Sequence, residues 1–129
     1  MTISLNHTIV WCRDQRASAD FLADLFELPA PVAWGPFLIV EMANGVSLDY
    51  HEVEDGREFE SQHYAFLVSE DEFDAIFGRI VERDLDHWAD PAKRDANAIN
   101  HNDGGRGVYF DDPDGHFLEI ITRPYGSGD

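Results

Sequence analysis

Hydrophobic and polar positions along the chain divide it into two stretches with the same predicted order of elements. In the first stretch, alternation over Leu5–Trp11 predicts a strand, and the apolar positions that follow recur at helical spacing. Asp14 is placed to cap this helix over residues 15–28, and Pro29 and Pro31 end it. Three short strands complete the unit, at residues 32–34, 37–42 and 46–52.

The second stretch repeats that order. Residues 63–68 predict a strand, and Ser69-Glu70-Asp71-Glu72 has the Ser-x-x-Glu form of a capping box. The helix predicted behind the box has one apolar face, formed by Phe73, Ile76, Phe77, Ile80 and Val81. A short extended piece near His87 and a long polar loop, Ala89–Arg106, then precede two strands at residues 107–111 and 116–122. Asp112-Pro113-Asp114-Gly115 between these strands has the residue types of a type I turn.

This pattern predicts one domain of the α+β class, built from two tandem βαβββ units. Residues 1–52 form the first unit and residues 62–129 the second, and the acidic segment 53–61 between them is predicted as a linker. A chain of 129 residues suits a single domain of this kind.

Charge and hydropathy exclude several classes of partner. Nine basic residues stand against 26 acidic ones, a formal net charge of −17, which repels phosphate backbones and anionic membranes. We therefore expect a small-molecule substrate rather than nucleic acid or a membrane. No stretch approaches the ~20 consecutive apolar residues of a membrane-spanning helix, and the N-terminus lacks the apolar core of a signal peptide. The expected location is the cytoplasm.

Cysteine content limits the kind of metal site. Cys12 is the sole cysteine, so the chain has neither an internal disulfide nor a thiolate zinc cluster. Any metal must therefore rely on histidine, aspartate or glutamate.

Histidines and carboxylates recur at matching places in the two units. His7 lies on the first strand of one unit and His63 on the first strand of the other, while Asp49 and Glu119 lie on the last strands. The two imidazoles with one carboxylate, His7, His63 and Glu119, can form a facial triad with open positions for water or substrate. This set predicts one divalent metal per site. It suits Fe(II) or Mn(II) and tolerates Zn(II), Ni(II) or Co(II).

Two further residues lie near the predicted triad. Asp49, the counterpart of Glu119, is a candidate fourth ligand, but its side chain is one methylene shorter and could instead act beside the ligands. His51 follows two residues later, on the same face of the strand, and is expected to border the cavity.

Three segments carry a resemblance to a known family: Leu5-Asn6-His7, His63-Tyr64-Ala65-Phe66, and the stretch from Gly107 to Glu119 with its Asp-Pro-Asp-Gly turn. Through them the chain resembles the vicinal oxygen chelate superfamily, the glyoxalase/bleomycin-resistance/extradiol-dioxygenase group. In that family, two βαβββ units form a metal-holding cup of mixed sheet. The metal binds a substrate through two neighbouring oxygens and stabilises an anionic intermediate. The resemblance therefore implies this fold and a metal-dependent enzyme.

The C-terminal motif of the extradiol ring-cleaving dioxygenases in this family is matched in full. His101 is followed after six residues by Val108-Tyr109, then by the Asp-Pro-Asp-Gly turn and Glu119. The resemblance implies that His101 is an acid/base, that Tyr109 hydrogen-bonds the substrate, and that His51 is an additional pocket histidine. The favoured function is therefore that of an Fe(II) extradiol-type dioxygenase acting on a catechol-like or vicinally oxygenated small molecule.

Other functions within the family stay open. Fosfomycin-resistance thiol transferases share the same motifs, but they have a threonine where this chain has Ile9. A glyoxalase I-like isomerase or lyase would need Asp49 as a ligand, where that branch uses glutamate. A binding protein that sequesters an antibiotic, of the bleomycin-resistance type, is the alternative from a different class, although such proteins usually lack the triad.

The resemblance also bears on assembly. In short relatives, the first unit of one chain commonly completes the site of the other. We therefore expect a homodimer in which His7 comes from one subunit and His63 and Glu119 from its partner.

Overall fold

A computed structural model describes residues 2–128, which fall into two compact units with the division after Glu60. The elements of the first unit are β1 (His7–Cys12), α1 (Gln15–Phe26), β2 (Val32–Trp34), β3 (Phe37–Glu41) and β4 (Ser47–Glu52). Those of the second are β5 (His63–Leu67), α2 (Glu70–Glu82), β6 (His87–Trp88), a short 3-10 helix (Asn102–Gly104), β7 (Gly107–Asp111) and β8 (Phe117–Ile121).

The two units have the same sheet topology. The first sheet has the order β1-β4-β3-β2 and the second the order β5-β8-β7-β6. In each, the first and last strands of the unit run parallel and the other neighbours are antiparallel. The registers also correspond, because His7 pairs with Ser47 and His63 with Phe117. The α+β class and the repeated βαβββ order predicted from the sequence are therefore confirmed.

Both helices begin where the sequence places their caps. The side chain of Asp14 accepts a hydrogen bond from the backbone N–H of Ala17 at 3.1 Å. At α2 the capping box is complete. The hydroxyl of Ser69 accepts from the N–H of Glu72 at 3.1 Å, and the carboxylate of Glu72 accepts from the N–H of Ser69 at 2.8 Å. Local side-chain chemistry thus determines where both helices start.

Several predicted boundaries differ from the structure by one or two residues, and two of these differences have a clear local reason. Helix α1 ends at Phe26 rather than at residue 28, because Glu27 takes a left-handed conformation with φ of 54°. Strand β8 starts at Phe117 rather than at residue 116, because the N–H of His116 donates to the side chain of Asp112 at 2.8 Å within the preceding turn. The predicted turn itself is confirmed, since the N–H of Gly115 donates to the carbonyl of Asp112 at 3.1 Å.

Each sheet has one buried and one more open face. In the first unit the buried face carries Val10, Leu38, Val40, Leu48 and Tyr50, and α1 contributes Leu22 and Leu25. In the second, Val108, Phe110, Leu118 and Ile120 are buried, together with Phe73, Ile76 and Ile80 of α2. Because side chains alternate along a strand, the candidate ligands lie on the other faces. Among residues 2–128, no helix combines the length and apolar character needed to cross a membrane.

Replacing Phe73 by alanine should lower the free energy of unfolding by about 3–5 kcal/mol, because its ring is 0% exposed and would leave a cavity. Urea-induced unfolding followed by circular dichroism measures this change. Val81→Ala on the same helix is the matched control. Its side chain is 53% exposed, so its truncation should change stability by about 0.5 kcal/mol or less. Equal losses in the two variants would contradict the assignment of Phe73 to the core.

Candidate metal centre

One face of the second sheet gathers three of the predicted site residues. In the parallel pair of β5 and β8, His63 pairs with Phe117, and Ala65 with Glu119. Tyr109 of β7 pairs with Glu119 from the other side. Because paired residues share a face and side chains alternate along each strand, the side chains of His63, Glu119 and Tyr109 project to the same side.

The backbone of the neighbouring strand holds the imidazole of His63 in one orientation. Its Nδ1 donates to the carbonyl oxygen of Phe117 at 2.9 Å, since a carbonyl can only accept. The neutral ring therefore carries its proton on Nδ1 and presents the lone pair of Nε2. That nitrogen faces Oε1 of Glu119. A lone pair and a carboxylate oxygen in this arrangement need either a cation between them or a second proton on the imidazole.

The spacing of these two atoms fits a shared metal ion. Nitrogen and oxygen ligands lie about 2.0–2.2 Å from a divalent transition metal, so two ligands at right angles are ~3 Å apart. Nε2 of His63 and Oε1 of Glu119 are 3.1 Å apart. The pair therefore has the donor types and the spacing of two adjacent ligands.

Glu119 is a buried carboxylate with a partner on each oxygen. The residue is 0% exposed, although the side chain of His63 beside it is 47% exposed. The hydroxyl of Tyr125 donates to Oε2, and His63 faces Oε1. A second tyrosine hydroxyl, that of Tyr109, lies 2.8 Å from the hydroxyl of Tyr125. Such partners offset the cost of burying the charge.

The hydroxyls of the two tyrosines and the carboxylate of Glu119 form one hydrogen-bonded group. Burial raises the pKa of Tyr125 and of Tyr109 above the ordinary value, and the contact with Glu119 raises both further. Both hydroxyls therefore keep their protons at neutral pH. Since an ionised carboxylate only accepts, Tyr125 donates to Glu119, and the hydroxyls of Tyr109 and Tyr125 are hydrogen-bonded to each other.

Aromatic rings and a lysine of the long loop surround this centre. The ring of Tyr109 stacks on Phe117 with centroids 5.2 Å apart and an angle of 15° between planes. The ammonium group of Lys93 lies 4.5 Å from the ring centroid of Trp88 and 5.0 Å from that of Phe117, and it pairs with Asp111 at 3.0 Å. The loop therefore contacts the face that carries the ligand pair.

The turn before β8 is hydrogen-bonded to Gln62, the residue that precedes β5. The N–H of Gln62 donates to Nδ1 of His116 at 2.9 Å, and the N–H of Phe117 donates to the carbonyl of Gln62 at 2.8 Å. Asp112 accepts from the N–H groups of Asp114 and His116, and burial raises the pKa of its carboxyl group above the ordinary value. The turn thus connects the start of β5 to the start of β8.

The first unit places its candidate residues on the corresponding face. His7 is exposed, and its Nδ1 donates to the side-chain oxygen of Asn6 at 2.6 Å, which leaves Nε2 as the candidate ligand atom. Asp49 is 8% exposed and accepts from the hydroxyl of Ser47 at 2.7 Å. His51 donates from Nδ1 to the carbonyl of Glu52 at 2.8 Å. Its ring lies 4.8 Å from that of Trp11 and 5.2 Å from that of Phe37.

His101 lies in the long loop, directly before the short 3-10 helix, and is exposed. Its carbonyl accepts from the N–H of Gly104 at 3.2 Å. The loop is more ordered than its polar composition indicates, because Trp88 bridges to Ala96 and Asn100 to Gly107. The catalytic role predicted for His101 stays a prediction.

The predicted triad spans both units, and the second unit contributes the pair of His63 and Glu119. Within one chain, residues 2–128 contain no group of three or more His, Cys, Asp and Glu side chains placed to hold a metal ion. Metal binding by His7, His63 and Glu119, with or without Asp49, is therefore still a prediction.

Comparison with known proteins identifies the family. The model of the Glyoxalase/Bleomycin resistance protein/Dioxygenase superfamily matches residues 4–120. The chain belongs to this superfamily. The matched range includes both predicted histidine ligands and Glu119, so the family inferred from the motifs is confirmed.

Within the superfamily, relatives of different activity resemble the chain. It is 60% identical to a solved structure named Oxidase ChaP-H2, with a TM-score of 0.95 and 100% of both chains covered. It is 28% identical to Glutathione transferase FosA of Serratia marcescens, over 93% of this chain and 81% of the relative. A variant of the fosfomycin resistance protein FosX from Listeria monocytogenes, solved with Mn(II) and a dihydroxypropylphosphonic acid, shares the fold. Its identity is 21%, its TM-score is 0.69, and 96% of this chain and 93% of that chain are covered.

Sequence analysis missed two residues of this centre. Tyr125 follows Glu119 by six residues, beyond the last strand, where neither periodicity nor a superfamily motif points to it. His116 falls at the start of the predicted last strand, and its burial, at 1% exposed, is a property of the folded hairpin. Both act through contacts that exist only in the folded unit, Tyr125 with Glu119 and His116 with the backbone before β5.

The tautomers of two histidines provide a test of the centre. In the metal-free protein Nδ1 of His63 should carry a proton, which it donates to the carbonyl of Phe117. His116 is the internal control and should carry its proton on Nε2, because its Nδ1 accepts from the N–H of Gln62. Long-range ¹H–¹⁵N correlation spectra of the metal-free protein distinguish the two forms, with His63→Gln to assign the signal. The same tautomer at both positions would contradict the hydrogen bonding described.

Proposed function

We propose that this chain is a metal-dependent dioxygenase of the extradiol type that acts on a catechol-like or vicinally oxygenated small molecule. The observation that carries the proposal is the pair of His63 and Glu119, whose Nε2 and Oε1 atoms lie 3.1 Å apart on an aromatic face. An imidazole with an oriented lone pair next to a buried carboxylate is the start of a facial triad.

His7 is the proposed third ligand. It occupies the same place in the first sheet as His63 in the second, and its Nδ1 is also engaged, by Asn6. Two imidazoles and a carboxylate favour Fe(II), with Mn(II), Zn(II), Ni(II) or Co(II) as alternatives. When bound, such an ion acts as a Lewis acid that holds two substrate oxygens and stabilises negative charge on them. Asp49 is proposed to lie beside the ligands, held by Ser47.

The remaining residues act on substrate. Tyr109 lies against His63, with ring centroids 6.0 Å apart, so its hydroxyl is placed to hydrogen-bond a substrate oxygen next to the metal position. His101 is proposed to move substrate protons as a general acid/base. His51, between Trp11 and Phe37, is proposed to border the pocket from the first sheet.

Oxygen chemistry is favoured over redox-neutral chemistry by the relative named an oxidase, which is 60% identical over the full chain. Thiol transfer is the second candidate, supported by the 28% identity to a glutathione transferase. Ile9 weighs against it, because thiol transferases of the fosfomycin-resistance type place a threonine there to contact substrate.

The Fe(II)-loaded protein should consume oxygen when it is given a catechol. Extradiol cleavage adds both atoms of O₂ to the ring and gives a yellow ring-opened product, which absorbance and an oxygen electrode record together. The protein is reconstituted with Fe(II) in the absence of oxygen and then given oxygen with each member of a panel of substituted catechols. No oxygen uptake across the panel would exclude the dioxygenase proposal. Loss of glutathione in the presence of fosfomycin would favour thiol transfer instead.

Variants of His101 and Glu119 separate the roles in the same assay. His101→Ala should slow turnover by about 10²-fold or more while the iron stays bound, since general acid/base catalysis contributes 10²–10⁴-fold. Glu119→Ala should lose the iron. If His101→Ala also loses the iron, then His101 is a ligand and its proposed role is wrong.

A homodimer with shared sites predicts complementation between two inactive variants. His7→Ala and His63→Ala chains should each lose the metal when alone. A mixed dimer, purified with two different tags, should regain one site in two, because the site that uses the intact His7 of one chain and the intact His63 of the other is whole. Metal content per dimer measures this. No metal in the mixed dimer would place all ligands of a site in one chain.

A further inference from the structure

Tyr125 lies after the last strand, yet its hydroxyl contacts the buried carboxylate of Glu119. The residue as a whole is 56% exposed, while its hydroxyl group is turned inward between Glu119 and Tyr109. The contact with two residues of the proposed centre indicates a role in the chemistry of the site.

The chain after β8 is folded so that Tyr125 is held in place. The N–H of Ser127 donates to the carbonyl of Pro124 at 3.1 Å, and the guanidinium group of Arg123 donates to the carbonyl of Ser127, also at 3.1 Å. Farther on, the N–H of Gly128 donates to the side chain of Asp103 at 3.2 Å. A side chain at Gly128 would overlap the backbone of Asp103. This segment is therefore attached to the 3-10 helix of the long loop.

The contact affects which oxygen of Glu119 is available. A free carboxylate can bind a metal ion through one oxygen or through both. Here Oε2 accepts from Tyr125, and Oε1 faces Nε2 of His63. Partners of this kind orient metal ligands, and their loss typically weakens metal binding 10–100-fold.

We propose that Tyr125 is a positioning residue of the metal centre, which holds Oε2 of Glu119 so that Oε1 alone faces the metal position. This inference rests on the proposed function of the site.

Tyr125→Phe removes the hydroxyl and keeps the ring. Titration of the metal-free protein with Co(II), followed by calorimetry, should give an affinity about 10-fold lower. The visible absorption of bound Co(II) should also become weaker, because release of Oε2 lets Glu119 bind through both oxygens and raises the coordination number. An affinity within about two-fold of the unchanged protein, together with an unchanged spectrum, would overturn the inference.

Two control variants distinguish the ways in which this test can fail. Tyr64→Phe removes a hydroxyl from the opposite face of β5, where the ring contacts His116, and should alter neither affinity nor spectrum. An equal loss in Tyr64→Phe would mean that the effect of Tyr125→Phe is a general loosening of the unit. His63→Ala tests the centre itself. If it keeps its Co(II) affinity, the proposed function is wrong, whereas loss of Co(II) there with none in Tyr125→Phe contradicts only the role of Tyr125.

Discussion

A carboxylate taken out of water has to find partners for both of its oxygens, and the second unit is arranged around this requirement at Glu119. The residue is 0% exposed, with His63 at one oxygen and Tyr125 at the other. The imidazole is itself oriented by the carbonyl of Phe117. The buried charge of Glu119, the orientation of the lone pair on His63 and the hydrogen bond from Tyr125 therefore depend on one another.

The backbone geometry that allows these contacts comes from the parallel pairing of β5 with β8. The register of a parallel pair cannot be set by a short hairpin that joins its two strands, because parallel strands are far apart along the chain. In this protein the Asp112–His116 turn contributes to that register, since buried His116 accepts from the N–H of Gln62, directly before His63. Burial raises the pKa of Asp112, whose carboxyl group accepts two N–H groups of the same turn. The turn thus helps to hold the strands that carry His63 and Glu119 in register.

The first unit has the same topology and a related set of side chains in a different environment. Asp49 replaces Glu119 and is held by Ser47, and Ile39 stands opposite it where Tyr109 stands opposite Glu119. Duplication has therefore kept the histidine and the acidic residue in both sheets, while the tyrosine partners are in the second. This asymmetry agrees with a proposed site in which the first unit supplies His7 and the second supplies most of the surroundings.

Periodicity and capping chemistry are local, so the sequence alone determined the order of elements, the helix starts at Asp14 and Ser69, and the matching places of His7, His63, Asp49 and Glu119. It also determined the family, through motifs whose residues are close together along the chain. The helix end at Glu27 and the order within the long loop were missed, because they depend on backbone conformations and bridges that composition does not encode. Only the tertiary structure decided that Nε2 of His63 faces Oε1 of Glu119, and that Tyr125 completes the other oxygen. Such contacts join atoms from separate strands, and their geometry exists only once the sheet has formed.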